Sequence, residues 1–514
     1  MIISQDLQDT IFEVNTLEEL KDRLVESFTT ETYKPNVRVN GNAVEMEIDD
    51  ALVERVLKGY KKAVEHADGG DLDKAEEEFM RILNLCPAQS LVLGNLGRLY
   101  FRRGDMEQAR HYLTRSLQVA PRDMWEGIML GNTYLTQGQI DEAEKQYRRV
   151  MEFYPDNAVA LSNVGAAYLE RKDTAEARKY FEQALQADPA YPNANYGMVV
   201  TYLQEQKWQE AFDTCLTGLQ ATKAASDSTA THGNMVKSIM ALAEQLTGQT
   251  DYKALTQALK NRLEQNDGKK IEVVEDDKIE HSATLKVARA QGNEAHVISY
   301  QPGLPFTDYL VLRKLLQLEM VQQARKAGRN KVVESTAVNE QNFKRRFSLF
   351  FSNFLGKMDE ERLNAFQQNV WKGFSHQLRR FAFDMIIEDK IYFDHPQYRP
   401  LQLLALTRQE QESLAAIGAS KELSMMPPTL VSATRIMILT ASLYFTNLYG
   451  INLMTEYRGT EKEYKKVDEL YDEFLNFLDD DPKPGDEYQL AADFAEELGF
   501  ADLMTVHGES GLIL

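Results

Sequence analysis

Two cysteines, Cys86 and Cys215, are all that the 514 residues contain. That number excludes a disulfide framework and a cysteine-rich zinc site. Basic residues are also short: 58 Lys and Arg stand against 79 Asp and Glu, a formal charge of −21. Nucleic-acid affinity rests on Lys and Arg neutralising phosphates, so a general phosphate-binding surface is excluded and no nucleic-acid partner is expected. Long apolar runs are missing as well. The most apolar stretch, 429–454, follows Pro427-Pro428 and carries Arg435 among many Ser, Thr and Asn residues. A bilayer span needs about 20 mostly apolar residues without such a charge, so this stretch reads as a buried core helix and no membrane contact is expected. The start, Met1 to Asp9, has acids where a secretory signal has a basic segment and an apolar run. The expected compartment is therefore the cytoplasm.

Catalytic signatures are equally sparse. There is no Gly-x-x-x-x-Gly-Lys phosphate loop and no Gly-x-Ser-x-Gly elbow. The histidines, at 66, 111, 232, 281, 296, 376, 395 and 507, include no pair spaced by one helical turn. No catalytic residue, metal or cofactor is expected. Cys86 and Cys215 sit at core-type positions and read as buried filler. Lys344-Arg345-Arg346 and Arg379-Arg380 lie beside Phe343, Phe347 and Phe381. In so acidic a chain they read as solvated helix faces.

What the chain does have is a period. Prolines fall at 87, 121, 155 and 189, at one constant interval. Three other series keep that step: Gly97, Gly131 and Gly165; Tyr100, Tyr134, Tyr168 and Tyr202; and Ala75, Ala109, Ala143, Ala177 and Ala211. The glycines and alanines suit points where two helices press together. Gly70, Gly104 and Gly138 suit turns at positive φ, a position where Lys172 and Gln206 stand in the later units. Each proline ends a second helix, because the residue before proline avoids the α region.

This pattern resembles tetratricopeptide repeats, whose period of about 34 residues is the interval seen here. The resemblance covers 56 to 225 in five repeats, with Ala63 and His66 marking a capping first unit. A further helix pair, 232–246 and 251–264, reads as a degenerate sixth repeat after a polar loop at 221–231. The resemblance implies a superhelical array in which the first helix of each pair lines a groove. It implies groove positions at the second, fifth, ninth and twelfth residues of each unit, which share one helix face. They are Leu91, Gly94, Arg98 and Phe101; Trp125, Ile128, Asn132 and Leu135; Val159, Ser162, Ala166 and Leu169; and Asn193, Tyr196, Val200 and Leu203. Arg102 flanks the first set. Arg98, Phe101, Arg102, Trp125, Ile128, Asn132, Ser162 and Tyr196 are the candidate partner contacts. Val159 and Asn163 stand where some family members carry the Lys and Arg of a carboxylate clamp, so that mode of binding is not expected.

Outside the repeats the periodicity changes. Val37-Arg38-Val39, Asn40-Gly41 and 43–48 predict a hairpin, since Asn-Gly favours the tight turn. Short β-branched runs follow at 270–275, 283–290 and 294–300, the last two joined by Gln291-Gly292-Asn293. Helices are then predicted over 307–327, 338–356, 359–391, 400–417, 429–449, 460–479 and 486–498. The strand ending in His296-Val297-Ile298-Ser299-Tyr300, then Pro302, Pro305 and a helix, resembles the strand-to-active-helix step of zinc metallopeptidases. Those carry His-Glu-x-x-His on that helix. Here the stretch is Arg313-Lys314-Leu315-Leu316-Gln317, which lacks both ligands and the base. Glu388, within 384–389, stands as a remnant third ligand. The resemblance spans 280–400 and implies an inactive relative.

The expected architecture is mostly α. Residues 1–50 form an N-terminal segment with a hairpin over 37–48. Residues 51–266 form an array of five to six repeats, and 267–514 a mainly helical α+β domain with a small hairpin or sheet. The expected function is a protein–protein interaction scaffold that binds a partner peptide or helix and is not an enzyme. The alternative is an inactive hydrolase-like domain carried by the repeats.

Overall fold

The computed structural model describes residues 2–4, 16–29, 34–41, 43–47, 50–222, 230–289, 294–354, 359–418, 425–452 and 459–509. The expected turn at 291–293 and most of the loop at 221–231 lie outside them. The chain falls into two compact units, Met1–Thr214 and Cys215–Leu514.

In the first unit, strands β1 (Ile2–Ser4), β2 (Asn36–Asn40) and β3 (Ala43–Glu47) form an antiparallel sheet of order β1-β3-β2. The predicted hairpin forms, but its turn is shifted by one residue from Asn40-Gly41: Asn40 is still in the strand, paired with Ala43, and Gly41 follows it at φ 58°. Helix α1 (Leu17–Phe28) starts at a Thr16 capping box and closes over this sheet, burying Leu20 and Leu24 against Val44 and Met46.

Helix pairs follow: α2 (Asp50–Asp68) and α3 (Leu72–Leu85), α4 (Ser90–Arg103) and α5 (Met106–Val119), α6 (Met124–Thr136) and α7 (Ile140–Phe153), α8 (Ala158–Glu170) and α9 (Thr174–Ala187), then α10 (Pro192–Gln204) and α11 (Trp208–Thr222). Their local signals recur with the period. Asp71, Asp105 and Asp173 cap the second helices by accepting from the backbone N–H of Lys74, Gln108 and Glu176. The preceding turn is left-handed in every unit: Gly70, Gly104 and Gly138, then Lys172 at φ 62° and Gln206 at φ 58°. Ala75, Ala109, Ala143, Ala177 and Ala211 are all fully buried. A Cβ on Gly97 would fall 2.5 Å from Leu113, on Gly131 2.3 Å from Tyr147, and on Gly165 2.8 Å from Phe181. The glycine series is thus one half of a lock whose other half, Leu113, Tyr147 and Phe181, keeps the same step.

The second unit begins inside α11. The sequence predicts a sixth repeat from helices over 232–246 and 251–264, with the array ending at 266; the structure has α12 (Ala230–Gln249) and α13 (Tyr252–Asp267) there. Instead they pack inside the second unit, α12 on α17 (Arg399–Gly418) and α13 on α14 (Thr307–Lys326). Strands β4 (Ile271–Glu275), β5 (Ala283–Lys286) and β6 (His296–Tyr300) form a second sheet of order β4-β6-β5. As expected, β5 and β6 run antiparallel, whereas β4 joins β6 in parallel. The N-terminal hairpin pairs with β1 through its second strand, β3.

Helix α14 lies on β5 and β6, and the long helix α16 (Glu360–Asp394) runs through the middle of the unit. It touches α14, α15 (Ala337–Ser352), α17, α18 (Pro428–Tyr449) and α20 (Glu487–Glu497). Helix α19 (Glu461–Asp479) packs on α18, and β7 (Lys331–Glu334) pairs with β8 (Thr505–Gly508). The helices match the predicted spans to within a few residues, since capping residues such as Thr336, Asp359 and Thr460 set their starts. Helix α18 is long and apolar enough to cross a membrane, yet 61% of its apolar window is buried. The polar neighbours it keeps are core partners: Ser432 donates to Glu463 at 2.9 Å.

Candidate functional site

The first helices α4, α6, α8 and α10 contact one another in succession, and among the described residues they do so more closely than the successive second helices. The first helices therefore form the inner row of the array. The second position of each unit sits on this row, and two of its members are large, apolar and exposed. Leu91 is 58% exposed and Trp125 is 54% exposed, one repeat apart.

The other predicted contacts divide. Arg98 keeps 39% of its side chain exposed, donates to Asn95 at 3.1 Å and lies 3.7 Å from Glu126. Arg102 is exposed and reaches the Ala67 carbonyl at 3.4 Å. Phe101 and Tyr196 are half-buried. Asn132 accepts from the Tyr147 hydroxyl at 2.8 Å and from the Asn163 amide at 3.3 Å, which fixes its orientation. The groove register predicts Ile128 and Ser162 as partner contacts, but both are buried. Ile128 fills a small cluster with Val150 and Ala160, because neighbouring helices approach too closely there to leave a gap.

One residue on this row escaped the reading of the sequence. Glu126 is 3% exposed and stands where the other units have Val92, Ala160 and Ala194, all buried and apolar. Gly94 makes its room: a Cβ there would fall 1.8 Å from Glu126 Oε1. Burial, together with the neighbouring Asp123 carboxylate, pushes the Glu126 carboxyl up to about 7, against the pull of Arg98. The signal was present as a single charged residue in an otherwise apolar series.

The second unit holds a separate charged centre. On α14, Arg313 pairs with Asp384 and Glu388 of α16, at 2.9 Å each. Glu388 also accepts from Tyr309 and, at 2.9 Å, from Gln402. Burial raises the Glu388 carboxyl, whereas Arg380 and Arg313 hold Asp384 below the usual range despite its burial. Arg313 and Glu388, linked by the metallopeptidase resemblance, are thus brought together, with a guanidinium between the two carboxylates. Among the described residues no group of three or more His, Cys, Asp or Glu is placed to hold a metal. A cavity of about 270 Å³ adjoins this centre and is lined by Glu410, whose carboxyl burial pushes up to about 7. Arg379 and Arg380, predicted as solvated, are both partly buried; Arg380 binds Asp384 at 2.9 Å. His281 and His376, far apart in sequence, stack with centroids 3.6 Å apart. By contrast, the basic run at 344–346 is largely surface, with Lys344 on Glu340 and Arg346 on Asp502.

Three tetratricopeptide-repeat family models match the chain, over residues 92–123, 128–192 and 168–225. No curated protein matches it. Among solved structures, MamA is similar at 18% identity over 32% of this chain and 95% of its own, with a TM-score of 0.29. TTC0263 from Thermus thermophilus is similar at 17% identity, over 36% of this chain and 99% of its own, with a TM-score of 0.31. Pseudomonas aeruginosa PilF is similar at 16% identity, over 39% and 94% respectively, again with a TM-score of 0.31. With the period, the glycine locks and the inner row of helices, the family matches make residues 92–225 a run of tetratricopeptide repeats, the fold of a protein–protein interaction scaffold.

Proposed function

We propose that the inner row of the repeats binds a segment of a partner protein, with Leu91 and Trp125 as its apolar anchors and Arg98 as its polar one. The observation that carries this reading is the exposure of Leu91 and Trp125 at the same register of adjacent repeats, 58% and 54%. Large apolar side chains left in water cost free energy that a partner recovers by covering them. Arg98 lies on the same helix as Leu91, and its charge suits an acidic or carbonyl-rich segment. Asn132, pinned by Tyr147 and Asn163, offers its neighbourhood as a fixed polar edge.

Truncation of aromatic and Arg anchors commonly costs about 2 kcal/mol, roughly 30-fold in affinity. A partner isolated with the full chain is the probe. Trp125→Ala and Arg98→Ala should each weaken its binding while circular dichroism stays unchanged, and melting should stay unchanged for Trp125→Ala. If both variants bind that partner as wild type does, the groove assignment fails. A cytoplasmic, non-enzymatic adaptor is the role that fits this reading.

A further inference from the structure

The second unit contains a cavity of about 500 Å³ between β5, α14 and α16, closed on its far side by residues around β7 and by Tyr488. Such a volume is within the usual range for small-molecule sites, about 300–1,000 Å³. Its walls are unusual for so acidic a protein. Lys314, Arg325, Lys331, Arg379 and Arg380 all line it, against Glu487 and Glu509.

Most of these charges are already matched or solvated. Glu509 binds Arg325 at 3.0 Å and also accepts from Asn330 at 2.8 Å. Asp384 takes Arg380. Lys331 is exposed, so water solvates it. Glu487 is buried; one of its oxygens accepts from the Gly485 N–H at 2.7 Å, the other has no partner among the described residues, and burial raises its carboxyl.

Two cations are left over. Lys314 is only 6% exposed, yet among the described residues its ammonium makes one hydrogen bond, to the Gln317 amide oxygen at 3.2 Å, and no ion pair. Burial and the neighbouring Arg380 push it down to about 7, against the pull of Asp384, whose carboxylate is already paired with Arg313 and Arg380. Arg379 is partly buried, and among the described residues it donates only to the Ser375 carbonyl of its own helix, at 3.1 Å. The Glu334 carboxylate attracts it without forming an ion pair, being held by His507 at 2.9 Å. A buried cation without an anion is costly, and an oxyanion that meets it regains the lost solvation as charge-assisted hydrogen bonds. The stacked pair of His281 and His376 stands beside these groups. The His376 imidazole is pushed down to about 3 by burial and by Arg380, so it is neutral there and adds no third charge.

We propose that this cavity binds a small-molecule oxyanion, a phosphate or a carboxylate, held by the Lys314 ammonium and the Arg379 guanidinium. The site belongs to the second unit and is independent of the partner-binding row.

The test uses the full chain at constant ionic strength. Inorganic phosphate, pyrophosphate and citrate are titrated by calorimetry, with sodium chloride as the control. The expected result is saturable binding of one anion per chain by at least one of the three, with sodium chloride giving none. Preference for the two phosphates over citrate, or the reverse, identifies which oxyanion the ligand carries. Lys314→Met and Arg379→Gln should each weaken this binding by about tenfold or more, as expected for loss of a charge-assisted bond. Lys314→Met removes an unpaired buried charge, so its melting point without ligand should hold or rise, which separates lost binding from lost folding. Arg379→Gln changes a partly exposed residue and gives a second variant that folds. Absence of saturable binding by all three anions up to about 10 mM overturns the proposal, since weaker association is not specific recognition. Equal binding by wild type and both variants overturns it too.

Discussion

Replacing Glu126 by Gln should flatten the pH dependence of the first unit's stability. The Glu126 carboxyl lies in a pocket made by Gly94, shielded from water and close to Asp123. Its folded value of about 7 stands above the ordinary 4.5. The folded state therefore holds a proton that the unfolded chain releases between those two values. Stability falls as pH rises through that window, and above about pH 7 the whole cost of the buried carboxylate is present. The difference corresponds to about 3 kcal/mol. Gln has the same shape and no charge, so Glu126→Gln should match wild type near about pH 4.5 and exceed it by about 2–3 kcal/mol near about pH 8. Denaturant unfolding of the full chain at a series of pH values, followed by circular dichroism, reads the difference. Arg98→Met should extend the loss of stability to higher pH, since the guanidinium 3.7 Å away favours the ionised form. A gap between wild type and Glu126→Gln that stays constant across the window would refute the reasoning, because it would show that Glu126 does not titrate on folding.

Other outcomes can be stated more briefly. Gly131→Leu should destabilise the array by about 3 kcal/mol in denaturant unfolding, because the first added carbon already falls 2.3 Å from the buried Tyr147 ring. Lys172→Gly should stabilise the fourth helix pair by about 1 kcal/mol, since Lys172 holds φ 62° where an L side chain is strained. Slower amide exchange at the start of α9 would confirm it. Protein dialysed against buffer should retain no stoichiometric zinc by elemental analysis and should cleave no peptide library, because Arg313 places a fixed positive charge between Asp384 and Glu388.

The repeat array was legible because its packing repeats. Gly131 needs Tyr147, Gly165 needs Phe181, and each pair recurs at the same step, so composition at a fixed interval reports contact directly. The inner row was legible to the level of its register, which places Leu91 and Trp125 together. The depth of each position was not, because it depends on how closely adjacent helices approach: Ile128 and Ser162 share the face with Trp125 and are nevertheless covered. Glu126 was hidden for a related reason, as its space is created by an absence, the missing side chain of Gly94 in the preceding repeat. In the second unit helix spans were readable from caps and prolines, while contacts were not. Lys314 and Arg379 reach one cavity from two helices far apart in the chain, with no periodic pattern linking them.

The pairing of β7 with β8 sets the two units apart in time as well as in structure. Lys331 faces Gly508, and Glu334 faces Thr505, so this ribbon closes over the whole of the chain between them. In the repeats each helix packs on helices close to it in sequence, and such short loops close quickly and at little entropic cost. A ribosome that has released the first unit has released everything that unit needs. The second unit cannot close this ribbon until residue 508 is free, so the helices it encloses, α15 to α20, are tied together by it only at the end of synthesis.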